Sequence, residues 1–146
     1  MAEQDLQTNG AAGAVPVPEP RVVALESVPV TPANSWPENL DVANMITRGQ
    51  HGSEVLLGAA WMEPGQRCNP WSFEDDDPGI DGLTHYGPTH ETYFVLKGRL
   101  RLTWNGGELE AGANDGVYLA PGFRYELSCI GDEQAYFLWS MTPPPV

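Results

Sequence analysis

Side chains able to do chemistry are concentrated in the run His85-Tyr86-Gly87-Pro88-Thr89-His90-Glu91-Thr92-Tyr93-Phe94-Val95-Leu96-Lys97-Gly98. Two of the three histidines of the chain lie here, and a glutamate follows the second directly. Neutral imidazoles and carboxylates are the donors that suit zinc, iron, manganese or nickel, and a positioned carboxylate also serves as a general base. Alternate residues of a strand face the same way, so His85, Gly87, Glu91 and Tyr93 share a parity that can point into a barrel. His90 has the opposite parity. A bulge at Gly87-Pro88 would bring it round, so His90 stays beside His85 and Glu91 as a candidate metal ligand.

Each of these residues also has a plainer role open to it. Tyr93 is either a phenol at the reacting centre or an aromatic packed in the core with its hydroxyl bonded at the rim. His85 is either a ligand or a structural histidine on a loop. Glu91, at the start of a core strand, requires a cation, an arginine or hydrogen-bond donors, and Arg99, Arg101 and Arg124 are the arginines at hand. His51, in Gly49-Gln50-His51-Gly52, reads as a turn residue. Among the five tryptophans, Trp61, Trp71 and Trp139 are candidates for lining a small-molecule pocket.

The elements that must position these residues are strands. The stretch after Glu91 is rich in aromatic and β-branched residues and ends at Gly98. Arg99-Leu100-Arg101-Leu102-Thr103-Trp104 alternates with period two, turns at Asn105-Gly106-Gly107 and returns through Glu108 to Ala111, which is a hairpin. Asn114-Asp115-Gly116 turns again before Val117 to Pro121, and strands from Tyr125 to Ile130 and from Gln134 to Met141 follow. Upstream, Arg21 to Leu25 is the first expected strand and Ser53 to Met62 a long buried one. The connection from Gln66 to Thr84 is irregular and carries the acid run Glu74-Asp75-Asp76-Asp77, read as a solvated loop. No segment has helical period and length, so the fold expected is an all-β sandwich or barrel.

At 146 residues the chain suits one domain, expected over 21–146, preceded by a disordered tail over 1–20 of Ala, Gly, Pro and polar residues. Twenty acidic side chains against seven basic ones, a net charge of −13, oppose nucleic acid or an anionic membrane as partner and leave small molecules. Cys68 and Cys129 make neither a metal-spaced pair nor a disulfide framework. An acidic start and the absence of a long apolar run lead to a soluble, cytoplasmic protein as the expectation.

Gly79, His85, Glu91 and Gly98 fill the first motif of the cupins, G(x)5HxH(x)3E(x)6G, with Gly87 where the second histidine belongs. The second motif, G(x)5PxG(x)2H(x)3N, corresponds to Asn114, Ala120, Gly122, Tyr125 and Cys129, of which Gly122 matches and Tyr125 stands in place of the last histidine. The chain thus resembles a small single-domain cupin with a degenerate metal motif. The resemblance spans roughly Ala24 to Thr142 and implies a jelly-roll barrel, the cupin double-stranded β-helix, with a homodimer as its usual assembly. It also implies a divalent metal ion on His85 and Glu91, with His90, Tyr93 or Tyr125 completing the shell. A tyrosine two residues after the glutamate is similar to the arrangement in cupin lyases that cleave dimethylsulfoniopropionate, which makes Tyr93, Tyr125 and Glu91 the candidate catalytic residues.

Two functions follow from this reading. One is an enzyme on a small organic metabolite, in which metal-assisted proton abstraction leads to elimination, isomerisation or cyclisation. The other is a metal-free cupin that binds a small molecule or serves as an accessory without catalysis.

Overall fold

From His90 to Thr142 the backbone is extended almost without interruption, because apolar residues recur at alternate positions and each reversal falls on a residue suited to a turn. The computed structural model describes residues 16–32, 40–68, 89–121, 123 and 125–144. In chain order the strands are β1 (Thr31–Pro32), β2 (Asp41–Ile46), β3 (Leu56–Met62), β4 (Arg67–Cys68), β5 (His90–Lys97), β6 (Arg99–Trp104), β7 (Gly107–Gly112), β8 (Gly116–Leu119), β9 (Glu126–Ile130) and β10 (Ala135–Thr142). They form two antiparallel sheets, six-stranded in the order β1-β2-β3-β10-β5-β8 and four-stranded in the order β4-β9-β6-β7. The inner faces close on one core. Val95, Met62 and Phe137 from the larger sheet meet Leu100, Leu102 and Leu127 from the smaller, all essentially solvent-free. This is the all-β sandwich expected from the strand pattern, in the jelly-roll form that the resemblance implies.

Between β5 and β6 the passage from one sheet to the other is made at a single residue. Gly98, with φ +79°, ends β5 and begins β6. A Cβ there would lie 2.7 Å from the Cα of Ala135 and 2.8 Å from the carbonyl oxygen of Gln134, so both the left-handed backbone and the close approach call for glycine. The hairpin of β6 and β7 follows the expected register, with Trp104 opposite Gly107 and Arg101 opposite Glu110.

Upstream the structure departs from the sequence reading. Arg21 to Leu25 is not a strand: Leu25–Ser27 is a turn of 3-10 helix, and Val22 is 93% exposed. Alternating apolar residues make a strand only where a neighbour offers a ladder, and β2 is flanked instead by the two-residue β1. The buried strand of the Ser53 to Met62 run starts at Leu56, because Ser53 Oγ accepts from the backbone N–H of Val55 at 3.0 Å and closes a local turn. His51 ends the single helical turn Arg48–His51, capped by Thr47, and its Nδ1 accepts from the Thr47 N–H at 3.1 Å. Trp36, Trp71, the acid run, Gly79, His85, Gly87 and the first fifteen residues lie outside the described residues.

Candidate functional site

Strand β5 sorts the candidates by face. Glu91, Tyr93 and Val95 turn inward and His90, Thr92, Phe94 and Leu96 outward, as period two requires. Across the sandwich Tyr125, on the lead into β9, is 4% exposed and brings its hydroxyl to the same place. Tyr125 donates to Glu91 Oε1 at 2.7 Å, and the hydroxyls of Tyr93 and Tyr125 lie 2.5 Å apart. Tyr93 also bears on Glu91, so the two hydroxyls and the carboxyl form one cluster. The three residues form one hydrogen-bonded chain, Tyr93 to Tyr125 to Glu91, reaching from one sheet to the other.

Aromatic rings hold it in position. Tyr93 meets Phe137 edge-on at 5.2 Å between centroids. Tyr125 stacks on Phe123 at 6.4 Å, and Phe123 meets Trp104 edge-on at 5.5 Å. Trp104 and Phe123 with Leu119 also line a cleft of about 280 Å³ at the edge of the sandwich, and Leu119 pairs in register with Glu91.

Removal from water raises the Glu91 carboxyl from 4.5 to about 7, against the opposing pull of its hydrogen bonds from Tyr125 and Tyr93. Burial, followed by the charge of Glu91, the neighbouring Tyr93 and Cys68, holds the Tyr125 phenol well above its ordinary value. Near neutral pH, therefore, Glu91 exchanges a proton readily while Tyr125 remains a donor.

The other candidates are elsewhere. His90 is exposed on the outer face of β5, where its Nδ1 lies 2.8 Å from the Tyr118 hydroxyl. Gly87 and Pro88, where a bulge was expected, lie outside the described residues. Arg99 and Arg101 pair with Glu110 at 3.3 and 2.9 Å, so Glu91 is met by phenols and not by these guanidiniums. Trp61 stacks on Tyr136 on the outer face, whereas Trp139 shares the inner face with Tyr93. Arg124, like His85, lies outside the described residues.

The residues described do not by themselves fit a divalent metal. They bring one carboxylate and two protonated phenols together, and no group of three or more His, Cys, Asp or Glu forms among them. The sequence reading missed Cys68, a buried cysteine beside Tyr125, and the aromatic pair Trp104 and Phe123. These come from strands and loops remote in sequence, so local parity carried no signal for them.

A family model described as Cupin domain matches residues 72–141. No curated protein matches the chain. Among solved structures, the polyketide cyclase RemF from Streptomyces resistomycificus superposes with a TM-score of 0.65 at 14% identity, covering 88% of this chain and 83% of that one. A predicted oxalate decarboxylase from Thermotoga maritima gives 0.64 at 14% identity, covering 84% and 99%. A sugar phosphate isomerase from Silicibacter pomeroyi gives 0.63 at 19% identity, covering 86% and 77%. At such identities the likeness is one of fold.

Proposed function

This chain belongs to the cupin superfamily, and from that premise we propose that it is a small cupin enzyme that abstracts a proton from a small organic metabolite, with Glu91 as the base. The observation that carries this reading is the Tyr93–Tyr125–Glu91 chain inside the sandwich. A structural carboxyl in a core is normally matched by a cation or a full set of donors; this one faces two phenols in a largely desolvated site, where proton uptake is cheap. Tyr125 holds Oε1, leaving Oε2 to take a proton from a carbon next to a carbonyl. Burial then stabilises the neutral acid that results. Tyr93, set against both the Tyr125 hydroxyl and Glu91, helps to hold the Tyr125 proton toward the carboxylate. The carbanion so formed would collapse by elimination, isomerisation or ring closure, which agrees with the range of activities in the names of the structural neighbours.

The test is deuterium exchange. Small ketones and keto acids are incubated with the protein in D₂O, with and without added zinc, manganese, nickel or iron(II), and loss of the α-proton signal is followed by NMR. Wild type is expected to accelerate exchange of at least one compound, and Glu91→Gln to lose about a hundredfold or more of that rate. Wild type without acceleration under any of these conditions sinks the enzyme reading and leaves a binding or accessory cupin.

We also propose that two copies pair through the outer face of the six-stranded sheet. Leu57, Phe94 and Leu96 stand 37–41% exposed there, an apolar surface suited to a symmetric contact.

A further inference from the structure

The inner face of the six-stranded sheet carries one transverse row with two polar atoms left over. In register across β2, β3, β10 and β5 stand Asn44, Gly58, Trp139 and Tyr93. Asn44 Oδ1 and Trp139 Nε1 are buried, and neither has a hydrogen-bond partner among the described residues. One is an acceptor and the other a donor. They flank Gly58, whose two neighbouring strands lie about 5 Å to either side. The indole leans over that glycine: a Cβ at position 58 would lie 2.3 Å from Trp139 Nε1. Gly58 therefore lets the indole N–H reach toward the strand of Asn44. An unmatched buried donor and an unmatched buried acceptor each weaken a fold, and two on the strands either side of β3, on one face and next to Tyr93, call for a common partner.

We propose that Asn44 and Trp139 form a recognition pair for a hydroxyl group on a neutral organic ligand, the hydroxyl accepting from Trp139 Nε1 and donating to Asn44 Oδ1. One group with both a lone pair and a proton satisfies both atoms at once. A neutral ligand follows from charge. Of the described Lys and Arg side chains, Arg21 and Lys97 are exposed and Arg48, Arg67, Arg99 and Arg101 pair with glutamates away from this row, the chain carries −13, and Glu91 stands one inward position beyond Tyr93. A carboxylate seated here would face that acid without a described counter-ion. This inference rests on the reading of the interior as a small-molecule site, and it names the substrate class as a hydroxylated, uncharged one.

Three probes of like size separate the two hydrogen bonds. Phenol accepts and donates, anisole only accepts, and toluene does neither. Binding is followed in protein carrying ¹⁵N-labelled indoles, with the Trp139 resonance assigned by its loss in Trp139→Phe and the ring resonances of Tyr93 as a second reporter. Phenol is expected to shift the Trp139 indole and bind about tenfold more tightly than toluene, with anisole between. Asn44→Leu should reduce phenol to the affinity of anisole, and Gly58→Ala, which drives a methyl into the indole, should abolish the preference for both ethers and phenols over toluene. The melting temperature of Asn44→Leu should equal or exceed that of wild type, since no bond is lost in the free protein. Equal binding of the three probes at Tyr93, or a clear fall in that melting temperature, overturns the pair while leaving the small-molecule site standing. Absence of any shift at Tyr93 and Trp139 overturns both.

Discussion

Glu91 is a proton-binding site that folding creates, since its carboxyl rises from 4.5 to about 7 on burial. A group with a raised folded value contributes its full stability below the unfolded value and loses it as pH climbs through the folded one. The loss here falls between pH 4.5 and about 7, and at about 1.4 kcal/mol per pH unit it comes to about 3 kcal/mol. Glu91→Gln keeps an acceptor for Tyr125 and removes the titration. In denaturant unfolding at a series of pH values, the variant should gain about 3 kcal/mol on wild type over that window. A constant difference would show that Glu91 is not desolvated. At this scale parity in the sequence was sufficient to put Glu91 and Tyr93 on one face. It was not sufficient for Asn44 and Trp139, whose meeting over Gly58 depends on the register of three strands, one of them bulged between Asn44 and Ile46.

Among the elements, the junction of β5 and β6 tolerates least. Gly98→Ala must adopt a left-handed backbone and press a methyl against the main chain of Ala135, which together cost about 2–4 kcal/mol. A fall in melting temperature of ten degrees or more is expected by calorimetry, and a fall of only a degree or two would mean the turn can relax. The strands of hairpin β6–β7 were legible because its turn and its period are local, whereas its arginines, offered as partners for Glu91, pair with Glu110 across the hairpin. The Arg21 to Leu25 segment was not, since whether an apolar run becomes a strand is decided by the neighbour available to it. The same holds for Tyr125, whose role depends on a contact across the sandwich that no local pattern encodes.

At the scale of the molecule, the outer face of the six-stranded sheet sets apolar Leu57, Phe94 and Leu96 against an otherwise strongly acidic chain. Burying that face in a pair is expected to give a sedimenting mass of twice 15.9 kDa at micromolar concentration, and Phe94→Glu to return it to the monomer. A wild-type monomer would remove the dimer. The two-layer fold was visible in the strand pattern from the outset, whereas which layer each strand joins was not, because β10 inserts between β3 and β5 from the far end of the chain.

Tyr93 hangs from the larger sheet and Tyr125 from the lead into the smaller, so the bond between their hydroxyls is also a latch between the layers. A hydrogen bond weakens steeply once its partners separate by a fraction of an ångström. Any breathing of the sandwich therefore disconnects Tyr93 before it disturbs the strands themselves. In the proposed reaction the proton path would be live only while the layers are shut, so the rate would be a gauge of how tightly the two sheets are closed.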